Sequence, residues 1–198
     1  MTATEISQPT IVNMCNHAFW NLSGYKNQTI LSHKFLLNSS EVCLTDQNLL
    51  PTGQLKNVTG TCMDFRSEVL LSDQLKRMEK EDPVGWTTAN GGIDHCFLVD
   101  GAGMGGMVRA AKVREEGSGR WMEFWTNMPG AVIYTANWTK EGLGGKDGAS
   151  YGKHCGFCVE CQFPPDAVHH EELMKKGSVV FGPGNEFVNV TRVKFGAE

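Results

Sequence analysis

Apolar and polar residues alternate with a period of two along much of the chain, the spacing of strands rather than helices. Arg120 to Thr126 reads as a strand. Trp121 and Trp125 share one face there and Met122 and Phe124 the other, which predicts cover on both faces. At the C-terminus Phe187, Asn189, Thr191, Val193 and Phe195 alternate with Val188, Val190, Arg192 and Lys194 in a further strand. Strands are also expected at Thr10 to Met14, Ile30 to Leu37, Glu41 to Leu44, Met107 to Arg114, Ala131 to Trp138 and Gly156 to Phe163. Pro129-Gly130 turns the chain into one of these runs, and Pro164-Pro165 stops another. Leu50-Pro51-Thr52-Gly53 reads as a turn. One stretch has helical spacing: Val69, Leu70, Leu71, Leu75 and Met78 predict a helix near Glu68 to Lys80, ended by Asp82-Pro83. Many short strands, little helix, 23 glycines and 7 prolines predict an all-β antiparallel sandwich, with residues 1–198 as a single domain.

Composition narrows the class. With 40% hydrophobic and 20% charged residues among 198, the chain is neither a disordered acidic tail nor a coiled coil. Lys and Arg total 18 against 22 Asp and Glu, a net charge of −4, so no nucleic acid or anionic membrane partner is expected. The apolar runs are too short for a membrane-spanning helix. The start, MTATEISQPT, has neither a basic nor an apolar region, so no secretory signal is read there. With 7 cysteines, an odd number, this points to free thiols in a reducing cytoplasm. The six N-x-S/T sequons then reflect composition rather than glycosylation.

Several patterns bear on chemistry. Cys155-x-x-Cys158-x-x-Cys161 resembles part of an iron–sulfur run, but Gln162, Phe163 and Pro164 follow where a fourth Cys would stand. On a strand Cys155 and Cys161 would share a face and Cys158 the opposite one, so a structural thiol set is expected and no metal. His169-His170 beside Glu171-Glu172 reads as a solvated loop, because adjacent residues converge poorly on an ion. Gly101 to Gly106, GAGMGG, matches no phosphate-loop spacing and reads as a surface turn. His17, Asp94 and Glu160 stand out because each is a titratable group set among apolar or aromatic neighbours. Singly each reads as a satisfied core or surface residue. Together they suggest a His/carboxylate acid–base site, since burying a mid-strand Glu is costly unless it is paired or used.

Six ordered blocks carry a resemblance. They are Pro9-Thr10-Ile11-Val12-Asn13-Met14-Cys15-Asn16-His17-Ala18-Phe19-Trp20-Asn21-Leu22, then Leu50-Pro51-Thr52-Gly53, then Gly60-Thr61-Cys62-Met63-Asp64-Phe65-Arg66. Gly92-Ile93-Asp94-His95-Cys96-Phe97 follows, then residues 127–137 from Asn127-Met128-Pro129-Gly130 onward, and 154–167 around Gly156-Phe157-Cys158-Val159-Glu160. In this order and spacing the chain resembles the C-terminal part of the galactose mutarotases, or aldose 1-epimerases. The resemblance implies a β-supersandwich with an open cleft, incomplete at the N-terminus. It implies His17 as general acid, Glu160 as general base and Asp94 as a sugar-hydroxyl ligand. Ala18 and Phe19 fall beside the acid, and Met128 falls where the family supplies a substrate-contacting Gln. The implied reaction interconverts the α and β anomers of a hexose such as glucose or galactose, with no metal or organic cofactor. The family's N-R and H-G-G blocks, with their sugar-contacting Arg and His, have no counterpart here, so free strand edges and exposed apolar faces are expected. Two other readings stand beside this one: a mutarotase-like sugar-binding or regulatory protein without turnover, and a cysteine-cluster metal or redox protein. Nothing in the sequence specifies an oligomeric state.

Overall fold

Ten strands build two five-stranded antiparallel sheets. In chain order they are β1 (His33–Leu37), β2 (Glu41–Thr45), β3 (Pro51–Asn57), β4 (Val69–Leu70), β5 (Asp94–Leu98), β6 (Val108–Glu115), β7 (Arg120–Thr126), β8 (Gly130–Tyr134), β9 (Cys158–Gln162) and β10 (Thr191–Ala197), with the helix α1 (Leu71–Glu81) between β4 and β5. The front sheet has the order β9-β8-β5-β2-β3 and the back sheet β10-β7-β6-β1-β4. This computed structural model describes all residues except 28, 82–88 and 104–105. The expected helix stop at Asp82-Pro83 and part of the expected turn at 101–106 lie outside the described residues. Among the described residues no helix is long and apolar enough to cross a membrane.

The core lies between the sheets and follows from the register. Across the back sheet Phe35, Val113 and Met122 form one inward row, and Leu37, Ala111 and Phe124 the next. They meet Phe97, Ile133, Phe157, Val159 and Cys161 from the front sheet and the segment leading into it. Phe35 and Phe157 touch edge to face with centroids 5.2 Å apart, an arrangement that adds ring electrostatics to apolar burial.

Some expectations are corrected. Among the described residues, lysine side chains rather than an apolar layer lie over the outward face of β7. Lys112 Nζ lies 5.7 Å from the Trp121 ring centroid and Lys194 Nζ 4.6 Å from that of Trp125, and both tryptophans stay partly exposed. The helix begins at Leu71, because Val69 and Leu70 are taken up pairing with Phe35 and Lys34. The chain turns over Asp46–Leu50, where Leu49 N–H donates to Asp46 O, so Pro51 already starts β3. The expected N-terminal strand is reduced to Thr10–Ile11, paired with Val180–Phe181. The C-terminal run is broken at Asn189, which is buried and donates through Nδ2 to Met14 O and Cys161 O. Central β5 was not expected as a strand. Four of its five residues are buried, so it shows no alternation. The charged stretch at 169–172 is a 3₁₀ turn at Ala167–His169 followed by a short helix, Glu171–Met174, rather than a loop.

Candidate active site

The front sheet buries one face in the core and turns the other outward. Register sorts that outer face into rows. Asp94, Tyr134 and Cys158 are direct neighbours on β5, β8 and β9, and Cys96, Val132 and Glu160 form the next row. One part of this face is covered: Ala167, Leu173 and Val179 pack on Cys43, Cys96, Leu98 and Val132. The part bearing Asp94, Tyr134, Cys158 and Glu160 is roofed instead by residues 13–20.

That segment is clasped at both ends. Asn13 Nδ2 donates to Phe163 O at 3.0 Å, and Phe163 N–H donates back to Asn13 Oδ1 at 3.0 Å. At the other end Trp20 and Phe157 exchange two backbone hydrogen bonds of 2.9 Å. Between the clasps the chain runs over β9, which brings Cys15 to Glu160 and His17 to both Glu160 and Cys158. His17 Nε2 is 3.4 Å from Glu160 Oε1, and His17 Nδ1 is 3.4 Å from Cys158 Sγ. Cys15 Sγ–H donates to Glu160 Oε2 at 3.3 Å. The imidazole lies against Phe19, centroids 5.3 Å apart, and edge-on to Tyr134 at 6.1 Å.

Electrostatics follow from this crowding. Burial, then the Glu160 charge, pushes Asp94 up to about 6, with His17 opposing. Burial also raises Glu160 above the usual carboxylate range, against the Cys15 hydrogen bond and His17. Burial and the nearby Glu160 push the Cys15 thiol up to about 12. Burial first and Glu160 second raise Cys158 as well. A desolvated carboxylate with a raised pKa beside an imidazole is equipped to take and return a proton. Two recesses adjoin the face. One, of about 520 Å³, includes Phe19, Trp20, Tyr25 and Tyr151 in its lining. A smaller one, of about 110 Å³, lies between Asp94, Cys96, Val132 and Leu49.

Of the residues singled out in the sequence, the structure brings His17, Phe19, Asp94 and Glu160 to one face. Ala18 is half-buried beside them, its N–H donating to Asn16 Oδ1. Met128 is not at this face: it is 2% exposed in the sandwich core. Cys161 points into the core and Cys158 outward, but Cys155 precedes β9 and is not part of the strand. Tyr134, Cys15 and Cys158 were missed. Their signal lies in strand pairing, which a single sequence does not display.

The fold is that of the galactose mutarotase-like β-sandwiches. An aldose epimerase homologue from C. elegans superposes with a TM-score of 0.78 at 22% identity, covering 96% of this chain and 52% of that one. A galactose 1-epimerase from Lactobacillus acidophilus gives 0.74 at 23%, covering 96% and 50%. The sequence profile described as Aldose 1-epimerase matches residues 1–194, and the chain belongs to that family. The bovine and human galactose mutarotases are each 35% identical over 191 residues, 96% of this chain and 52% of theirs. The Escherichia coli K12 aldose 1-epimerase is 29% identical over 196 residues, 98% of this chain and 53% of its own. The chain thus spans about half the length of the curated relatives it matches.

Proposed function

We propose that this chain interconverts the α and β anomers of a hexose, glucose or galactose, by acid–base ring opening and closure. The observation that carries the reading is the His17–Glu160 pair, 3.4 Å apart on the outer face of the front sheet, with His17 half exposed and Asp94 close by. The reaction acts on two oxygens of a single carbon. The C1 hydroxyl must lose a proton, and the ring oxygen must gain one. At 3.4 Å apart the two groups leave no room for a pyranose ring between them, so the C1 hydroxyl and the ring oxygen meet the pair from one side. Glu160, with its raised pKa, takes the hydroxyl proton. Protonated His17 gives its own to the ring oxygen, and the C1–O5 bond breaks. Rotation about C1–C2 presents the other aldehyde face. On closure His17 takes a proton back and Glu160 returns one. Asp94 accepts a hydrogen bond from a sugar hydroxyl, and the Phe19 ring shields the exposed side. The reading also includes a reducing, cytoplasmic setting, supported by the free thiols at Cys15, Cys43, Cys96, Cys155, Cys158 and Cys161. Polarimetry of freshly dissolved α-D-galactose and α-D-glucose tests it. Rotation should decay faster with the protein than in buffer, and Glu160→Gln should remove the excess. Hexose binding with no excess rate would make the chain a sugar-binding protein without turnover.

A further inference from the structure

We propose that His17, Cys158 and Glu160 also form a binding site for a soft divalent cation, zinc above all, and that the bound ion excludes the sugar. Among the described residues these three bring one donor atom each to within 4.8 Å of one another. Two of the separations are 3.4 Å, Nδ1 to Sγ and Nε2 to Oε1. A tetrahedral zinc ion with bonds of about 2.0–2.3 Å places its ligands roughly 3.3–3.8 Å apart. One imidazole nitrogen binds one ion, so one of these separations already matches, and the others, within 4.8 Å, close when the exposed His17 ring turns.

The supports differ in a useful way. Cys158 and Glu160 are two residues apart on β9, on the same face and buried, so they form a fixed pair. The His17 side chain is 53% exposed and can turn to offer either ring nitrogen. The Cys15 thiol holds Glu160 Oε2, which leaves Oε1 for the ion and supplies the outer hydrogen bond that ligating carboxylates use. A thiolate together with an imidazole selects zinc, and its analogue cobalt, over magnesium or calcium. On binding, the Cys158 S–H bond breaks, its proton goes to solvent and a sulfur–metal bond forms. The fourth position stays open to water. The ion ties up the nitrogen and the carboxylate oxygen on which the proposed sugar chemistry depends, so it acts as an antagonist and not as a cofactor. The exclusion rests on the sugar reading above, whereas the metal site does not.

Metal-free protein titrated with Co²⁺ tests the site directly. Binding through Cys158 should give thiolate-to-cobalt charge-transfer absorption and the intense visible bands of tetrahedral cobalt, both erased by added zinc. Cys158→Ser should abolish the charge-transfer absorption, and Cys155→Ser should leave it. His17→Gln changes an exposed side chain, so it should keep the wild-type circular dichroism while weakening cobalt binding about tenfold or more. No such bands at millimolar cobalt, or bands that survive Cys158→Ser, would overturn the site. Galactose binding is measured first on the metal-free protein by calorimetry. If galactose binds but leaves the apparent cobalt affinity unchanged, mutual exclusion is wrong. If galactose does not bind, the sugar reading and the exclusion built on it fall, and the cobalt bands still decide the metal site.

Discussion

Cys15 and Glu160 are 145 residues apart in the chain, yet the thiol of one donates to the carboxylate of the other at 3.3 Å. The contact exists because Asn13 and Trp20 clasp the intervening segment to Phe163 and Phe157, lying it along the strand that carries Glu160. Position on the site is therefore a property of the clasp as much as of the residues beneath it.

Glu160→Gln keeps the shape of the side chain and removes its basicity. It should slow anomer interconversion by about 10²–10⁴-fold, as losing a positioned acid or base generally does. His17→Asn should cost a similar factor. Asp94→Asn should raise KM more than it lowers kcat. Coupled oxidation of the β-anomer, or polarimetry, separates these outcomes, and unchanged rates for both Glu160→Gln and His17→Asn would move the chemistry elsewhere.

Asp94 carries a stability consequence as well. Its carboxyl is held at about 6 in the fold, above its ordinary 3.8. A carboxyl with a raised pKa favours the folded state while protonated. Its contribution is full below about pH 4 and is lost as pH rises through about 6. Asp94→Asn removes this loss. The variant should melt higher than wild type at pH 7, and the difference should close as pH is lowered from 6 to 4. A variant less stable than wild type at pH 7 would show that Asp94 has a partner in the fold worth more than its desolvation.

Asn13→Ala opens one end of the clasp. It removes two hydrogen bonds and leaves the Phe163 amide without its side-chain partner, a change worth about 1–3 kcal/mol. The melting temperature should fall. The rate of anomer interconversion should fall at temperatures where the variant is still fully folded, because His17 is no longer held over β9. A rate equal to wild type in the folded variant would show that Trp20 alone fixes the segment.

Two aromatic substitutions should differ sharply. Phe157 is fully buried against Phe35, and Phe157→Ala should cost about 3–5 kcal/mol through lost burial and a cavity. Trp121 lies partly exposed under Lys112, and Trp121→Ala should cost far less, since an exposed cation–π contact is worth about 0.5–1 kcal/mol. Denaturant unfolding at neutral pH gives both values. Similar costs would mean that the Trp face is covered in solution.

How far the sequence reveals this molecule depends on how each residue is buried. Met122 and Phe124 share a face in the sequence, but the tryptophans on the opposite face hide that it meets lysines and water rather than a second apolar layer. Asp94–Leu98 does not read as a strand, because burial on both faces erases the alternation. Asn189 looks like one more inward position of a strand. Its amide instead takes the carbonyls of Met14 and Cys161, and the strand breaks there. His17, Asp94 and Glu160 are visible through the ordered blocks around them, whereas each taken alone reads as an ordinary satisfied residue. Cys15, Tyr134 and Cys158 are invisible as neighbours, because that fact belongs to the register between strands.

The alternation along β9 makes length, and not only composition, a heritable constraint. One residue inserted after Cys158, with Phe157 still paired to Trp20, would turn Glu160 into the core and set Val159 opposite His17. Deleting Val159 would likewise turn Glu160 inward, and would set Cys161 opposite His17. The turn at 116–119, between two back-sheet strands, carries no such parity. Chains descended from this one are free to gain or lose residues at that turn while keeping their chemistry, and are held to a fixed count between Phe157 and Phe163.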